Sequence, residues 1–370
     1  MGWSLKLGRI FGIDIKMHFT FLFILVWGAF AYSGNAGPLY GVVVTLALFS
    51  LVLLHELGHS VAALAYGIPV KDIVLLPIGG VARLERMPEK PIQELVVALA
   101  GPLVNVVLAA SLFPVVLGLG AWHGSLLSLN QAGPLGLLSF LLMANISLAV
   151  FNMIPAFPLD GGRVLRAILG FFTSYEQATK TAVQIGRLMA LGLGLVGIFY
   201  LNSISLALIA FFIFIVGGQE GQAVAARGLL RRVQAGQIMS RNSVALSPHA
   251  TIDQIAPMIM SRNQQSDYAV LDPTNGQLLG VTSGGRVARA LSEGHRAIGV
   301  TEIMQHARHV PRVALTATLD EVQTKLETTS NRVAAVYDGL NYRGLISAED
   351  IQRAFQFLIN QRAALRYNMA

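Results

Sequence analysis

A chain of 370 residues that is 54% hydrophobic, only 13% charged and has a mean hydropathy of +0.59 is not an ordinary soluble globular protein, since those carry about 25% charged residues. It has no cysteine, which excludes disulfides and thiolate metal ligands, so any bound metal must use His, Asp or Glu. The formal charge of +7 lies in short clusters between apolar runs and after Gly217, a pattern of loop bias in a membrane protein that argues against a nucleic-acid partner.

In chain order, six apolar segments are long enough, or nearly so, to cross a bilayer: about 17–33, 40–66, 94–119, 135–154, 185–201 and 203–218. The first lacks a small-residue cleavage site and reads as a retained span, not a signal peptide. Lys6, Arg9 and Lys16 precede it. Lys71, Arg83, Arg86 and Lys90 separate the second and third segments, and Arg163, Arg166, Lys180 and Arg187 the fourth and fifth. Arg227, Arg231 and Arg232 follow the sixth, whereas loops 33–39 and 120–134 hold no charge. The positive-inside rule then places both termini in the cytoplasm of a multi-pass cell-membrane protein, in contact with membrane lipid. His18 and His123 read as interfacial residues at span ends, and Asn105 and Asn145 as partners in a bond between helices.

The second segment contains His55-Glu56-Leu57-Gly58-His59. On a helix this spacing puts both imidazoles on one face, one turn apart, where they can hold one Zn²⁺, and the glutamate can act as general base on the attacking water. Ionisable groups at membrane depth are expensive, so such a group is a functional-site hypothesis by default. A catalytic zinc takes three protein ligands. The strongest third candidate is Asp160, in Asn152-Met153-Ile154-Pro155-Ala156-Phe157-Pro158-Leu159-Asp160-Gly161-Gly162. Pro155 and Pro158 break the fourth span there, and Gly161-Gly162 permits a sharp turn. Irregular backbone at that depth must line protein or a wet cavity, so Asp160 is expected to point into one. Asn152 has two readings: a group for substrate backbone or the developing oxyanion, or a helix-ending residue that satisfies its own turn. Residues 70–76 and 81–85 read as two short strands around Gly79-Gly80. Their edge is either a site for an extended substrate by β-addition or a hairpin without substrate contact.

Beyond Arg232 the chain becomes an α/β sequence with an internal repeat. Ile238-Met239 recurs as Ile303-Met304, and Val244-Ala245-Leu246-Ser247 as Val313-Ala314-Leu315-Thr316. Asp267-Tyr268-Ala269-Val270 parallels Val333-Ala334-Ala335-Val336, and Gly280-Val281-Thr282-Ser283 parallels Gly344-Leu345-Ile346-Ser347. Units of about sixty residues, each helix–strand–strand–helix, cannot close a large core alone and are expected to pack as a pair.

The first 220 residues or so resemble the site-2 protease family of intramembrane zinc metalloproteases. The resemblance rests on the HELGH pentad at 55–59 and the Asn-x-x-Pro…Leu-Asp-Gly pattern at 152–161. Ala100-Gly101-Pro102-Leu103-Val104-Asn105 and Pro77-Ile78-Gly79-Gly80 add to it. It implies His55, His59 and Asp160 as ligands of one catalytic Zn²⁺, Glu56 as the base, and a membrane-associated β-structure. The implied activity is that of a metalloendopeptidase cutting transmembrane protein substrates in or near their spans, as in regulated intramembrane proteolysis. Asn152, Gly79 and Gly80 are the substrate-binding candidates. Residues 233–357 resemble a tandem pair of CBS domains, a module that often binds adenine nucleotides such as ATP and self-associates into homodimers. Its Gly-h-h-Ser/Thr-x-x-Asp pattern (h apolar) is complete at Gly344, Ser347 and Asp350; the first repeat keeps Gly280 and Ser283 but has Arg286 in place of the aspartate. That arginine is either a phosphate contact or a solvated side chain.

The expected architecture is a polytopic α-helical membrane protein of about six transmembrane helices with a small β-element, joined to a cytoplasmic α/β CBS module. Its divisions are 1–220, a basic linker 221–232, repeats 233–293 and 294–360, and a tail 361–370. The rivals are a CBS-regulated metal-ion transporter passing metal along His55, His59 and Asp160, and an inactive scaffold. Glu56 between the histidines favours the hydrolase, as does the lack of an inverted repeat of the kind many transporters carry.

Overall fold

The structure, a computed structural model, describes residues 4–33, 36–85, 88, 90–120, 133–240, 245–261 and 267–367. His123, Arg86, Val244 and most of the uncharged loop 120–134 lie outside the described residues. Two compact units are present, Met1–Val224 and Ala225–Ala370.

The first unit runs β1 (Ser4–Ile10), β2 (Ile13–His18), α1 (Phe21–Ala31), α2 (Pro38–Ala65), β3 (Val70–Leu76), β4 (Gly79–Leu84), α3 (Pro91–Gly118), α4 (Pro134–Asn152), α5 (Asp160–Gly170), α6 (Tyr175–Phe199) and α7 (Ile204–Leu230). Three of the spans, α2, α3 and α4, open with proline at their first position, where a helix has no acceptor for the missing N–H. Among the described residues five helices, α2, α3, α4, α6 and α7, are long and apolar enough to cross a membrane. The first expected span is shorter than its hydropathy suggests. α1 has 11 residues, a rise of about 16 Å against a hydrocarbon core of about 30 Å. The residues just before it are taken up by β2.

The four strands form one sheet in the order β1-β2-β3-β4. β2 and β3 run parallel, from Asp14 beside Asp72 to Met17 beside Leu75, and the outer pairs are antiparallel. Alternation places Ile13 and Ile73 against Leu57 of α2, which fixes the sheet on the HELGH helix. Asp72 is buried in the sheet and is neutralised by Lys16 at 2.6 Å and by Arg83.

The second unit contains α8 (Ala235–Ile238), α9 (Ile252–Ser261), β5 (Asp267–Leu271), β6 (Leu278–Ser283), α10 (Gly284–Ser292), α11 (Val300–Ile303), β7 (Gln305–His306), β8 (Arg312–Ala314), α12 (Leu319–Thr329), β9 (Val333–Asp338), β10 (Asn341–Ser347) and α13 (Ala348–Tyr367). The repeat appears as two three-stranded sheets, β5-β6-β7 and β10-β9-β8. Ala269, Leu278 and Val281 of one share a core with Val333, Ala335 and Leu345 of the other, so the two units of the repeat pack as a pair. The segments before each repeat are exchanged. Ala235 and Met239 lie in the core of the second repeat, while Val300 lies in that of the first. The stretch 221–232, expected as a linker, is mostly helix, because α7 continues to Leu230. Likewise α13 runs on to Tyr367, into the expected tail.

Candidate metal centre

His55 and His59 lie one turn apart on α2, and both are buried. Each Nδ1 meets an oxygen that can only accept. His55 Nδ1 is 2.6 Å from Asn105 Oδ1, and His59 Nδ1 is 2.6 Å from the Val97 carbonyl. In neutral rings the protons therefore sit on Nδ1, and both Nε2 lone pairs are free. Asn105 is itself oriented: its Nδ2 donates to Asn145 Oδ1 at 2.9 Å, and Asn145 Nδ2 donates to the Leu141 carbonyl at 2.8 Å. The expected bond between Asn105 and Asn145 is thus one link in a chain that ends on an imidazole.

Asp160 Oδ2 lies 3.1 Å from each Nε2, and the two Nε2 atoms are 3.1 Å apart. Two lone pairs and a carboxylate oxygen at these distances repel one another unless a proton or a metal cation sits among them. A tetrahedral ion bonded at about 2.0–2.1 Å spaces its ligands roughly 3.3 Å apart, so the triangle has the size and donor set that Zn²⁺ takes. Among the described residues these three form the cluster able to hold a metal, and all are buried. Gly101 of α3 faces the triangle: a side-chain carbon there would run into Nε2 of both rings. On α2, a carbon added to Gly58 would sit 2.7 Å from the Ala100 carbonyl oxygen. The two glycines let α2 and α3 approach closely enough for α3 to reach both imidazoles.

Asp160 is the first residue of α5. Gly161 and Gly162 do not make the expected sharp turn but belong to the helix. Their role is room: an added carbon on Gly161 would strike the backbone of Met153 and Ile154, and one on Gly162 would lie 2.6 Å from the Phe157 nitrogen. Bare backbone here lets the preceding loop fold against the helix that presents Asp160.

Glu56 leaves the same helix toward β4, where its Oε2 accepts the Ala82 N–H at 3.1 Å. β4 is an edge strand, and a carbon added to Gly80 would lie 2.7 Å from Glu56 Cγ. Gly79 turns the hairpin with φ of +138°, a region that favours glycine. Asn152 ends α4 with its Nδ2 bonded to the Leu148 carbonyl at 3.0 Å, the arrangement of a helix-ending residue. Residue types gave no signal for the Val97 carbonyl or the Ala82 N–H, because both are backbone groups.

In the second unit Ser347 and Asp350 meet at the start of α13. Ser347 N and Oγ donate to Asp350 Oδ2 at 2.9 and 2.8 Å, and Asp350 N donates to Ser347 Oγ at 3.1 Å. Asp350 and Arg353, paired at 2.6 Å, line a cavity of about 440 Å³ with Val233, Ile238, Ala354, Phe357 and Leu358. Ser283 Oγ caps α10 by accepting the Arg286 N–H at 3.3 Å, and the Arg286 guanidinium donates to the Ile303 carbonyl at 3.1 Å. Burial pushes the Asp267 carboxyl up to about 6; Glu349 and Asp350 add to the shift, and Arg332 and Arg286 oppose it.

Asn105→Ala is expected to weaken zinc binding about 10–100-fold, the range typical of a lost outer partner. Titration with a zinc-buffered chelator checks this, and unchanged affinity would remove Asn105 from the site.

The family model for Peptidase family M50 matches residues 43–124 and 119–193, and that for the CBS domain matches residues 235–293. A zinc metalloprotease of Methanocaldococcus jannaschii is 33% identical over 359 residues, 97% of this chain and 98% of that one. Stage IV sporulation protein FB of Bacillus subtilis is 29% identical over 150 residues, 40% of this chain and 48% of that one. Among solved structures, the site-2 protease from Methanocaldococcus jannaschii is 38% identical, covering 59% of this chain and 95% of that one, with a TM-score of 0.44. With the zinc metalloprotease relative 33% identical over 97% of this chain, and with five helices among the described residues long enough to cross a membrane, the chain belongs to Peptidase family M50, the site-2 proteases, and is a multi-pass zinc metalloprotease carrying a CBS domain match at residues 235–293.

Proposed function

We propose that the chain is an intramembrane endopeptidase in which His55, His59 and Asp160 hold one Zn²⁺ and Glu56 is the general base. The observation that carries the reading is the convergence of three ligand atoms on one point, with Glu56 between two of their residues in sequence. The ion, when bound, supplies Lewis-acid polarisation of the scissile carbonyl and a lowered pKa for the attacking water. Glu56 takes the proton of that water and later hands it to the leaving amine. Asn105 and the Val97 carbonyl keep the imidazole protons on Nδ1, so both Nε2 atoms stay available as ligands.

A helical span hides its carbonyls in its own hydrogen bonds, so a substrate must reach the site extended. The outer edge of β4 suits such a strand on either side of Ala82, whose N–H Glu56 accepts, with Gly79 and Gly80 admitting its backbone beside Glu56. Asn152 is proposed for the developing oxyanion through the second N–H of its side-chain amide, the first being given to the Leu148 carbonyl at 3.0 Å. The substrates of this reading are membrane-spanning proteins. The full chain in proteoliposomes is expected to cut a single-span substrate, to stop on chelation and to recover with zinc. Cleavage indifferent to chelators would sink the assignment.

The lysine and arginine pattern supports cytoplasmic termini and a cytoplasmic C-terminal unit. With α1 crossing only part of the bilayer, the β1–β4 sheet then lies at the cytoplasmic side, packed on the helix that carries His55 and His59. The absence of cysteine makes this easy to test, since a single introduced thiol has no background. Thiols placed at Ser4 and Ser292 are expected to label with an impermeant reagent only from the cytoplasmic side.

The C-terminal unit is proposed to bind an adenine nucleotide at Ser347 and Asp350, with ribose on the carboxylate, the base against Val233, Ile238 and Phe357, and Arg353 toward phosphate. Ser283 is the weaker candidate, because Arg286 stands where the second carboxylate would be. ATP, ADP or AMP is expected to raise the melting temperature of the full chain, and Asp350→Ala to abolish the shift. No shift at millimolar nucleotide removes this part of the reading. Light scattering on the same samples reports whether the unit forms the homodimer that CBS pairs commonly make.

A further inference from the structure

The helix that begins with Asp160 is anchored by a charge cluster, built on a buried arginine, that the proposed chemistry does not use. Arg166 of α5 is 1% exposed. Its Nε donates to Glu94 Oε1 of α3 at 2.7 Å, and its Nη1 donates to Glu220 Oε1 of α7 at 2.9 Å. Its Cζ lies 4.9 Å from the ring centre of Phe157, in the loop before α5, and 4.8 Å from that of Tyr175, the first residue of α6. One planar cation thus joins α5 to α3, α7, the preceding loop and the start of α6.

The position of Glu94 gives this cluster its meaning. It stands one turn before Val97, whose carbonyl fixes His59, and the same helix carries Asn105, which fixes His55. α3 therefore orients both imidazoles, while α5 supplies the carboxylate. The Arg166–Glu94 pair is a cross-brace between those two helices. Buried ion pairs are weak net stabilisers, and apolar groups of equal volume serve stability as well or better. A guanidinium differs in direction: its rigid fork fixes angle and register, which apolar packing does not. The site needs that register, because Asp160 Oδ2 must stay equidistant, at 3.1 Å, from two Nε2 atoms on another helix.

We infer that Arg166, with Glu94 and Glu220, is a positioning group for Asp160, setting α5 against α3 and thereby the geometry of the metal triangle. The inference rests on the reading of His55, His59 and Asp160 as ligands. Its consequence is that the cluster controls how tightly the ion is held more than whether the protein folds.

The test uses the full chain in detergent and zinc itself as the probe. A triple variant, Glu94→Gln with Arg166→Met and Glu220→Gln, removes all three charges at similar volume. The metal-free triple variant is expected to melt close to the metal-free parent. It is expected to release zinc to a chelator about 10–100-fold faster, and to lose kcat on a single-span substrate with KM unchanged. A folded triple variant that releases zinc at the parental rate overturns the inference. If the triple variant fails to fold, Glu220→Gln and Arg166→Lys decide. The first keeps the Arg166–Glu94 pair, and the second keeps the charge without the fork. Faster zinc release in both supports the inference, and parental release in both overturns it. A parental chain that binds no zinc refutes the ligand assignment instead, and the inference falls with it.

Discussion

Glu56→Gln is expected to leave zinc bound at the parental stoichiometry while reducing cleavage by on the order of 10²–10⁴-fold, the usual contribution of a positioned general base. The two side chains have nearly the same volume, and the glutamine carbonyl can still accept the Ala82 N–H that Glu56 accepts at 3.1 Å. The fold and the placement of β4 are therefore preserved. What changes is the ability to take a proton from water and return it to the leaving amine. Because Glu56 is not one of the three converging donors, metal content separates this variant from any that damages the triangle. Metal analysis and a cleavage assay on one preparation are the measurement. Cleavage at the parental rate in the zinc-loaded variant would remove Glu56 as the base, and loss of zinc would make it a ligand or a structural residue instead.

Asp160→Ala is expected to do the reverse. It removes one of three donors held 3.1 Å apart, leaving the two imidazoles oriented by Asn105 and Val97 as before. Zinc affinity is expected to fall by more than the roughly 10–100-fold typical of an outer partner, and activity with it. The clearest readout is linkage. Zinc at a thousand times its Kd stabilises the parent by about 4 kcal/mol, and this increment should largely vanish in the variant. A variant that keeps both its zinc and its zinc-dependent rise in melting temperature would show that the third ligand lies elsewhere.

The parts of this protein readable from residue order alone are those governed by local physics. The spacing of His55 and His59 follows from 3.6 residues per turn, and the apolar lengths of α2, α3 and α4 follow from the bilayer. The repeat after Arg232 announces two like sheets because each unit carries the same alternation of strand and helix. Residue order misleads where pairing partners are distant. Residues up to His18 count as part of an apolar span by hydropathy, yet they lie in β2, held by Asp72–Leu75 on one side and β1 on the other. Hydropathy does not distinguish a short apolar strand from the end of a helix. Gly161 and Gly162 read as a turn, but their need is set by the backbone of residues 153–157 folding against them, and α5 continues through. The exchange of segments around Ala235 and Val300 is equally invisible along the chain, since it depends on which sheet each segment meets.

Residue order by itself determined the donor types, the one-turn interval between two of them and the glutamate that separates them, because helical periodicity is a property of neighbours. Only the tertiary structure decided which acceptor oxygen each imidazole Nδ1 meets, that Asp160 closes a triangle with residues more than a hundred positions away, and that Arg166 ties α5 to α3. Those outcomes depend on the packing of α3 and α5 around α2, and no covalent spacing encodes them.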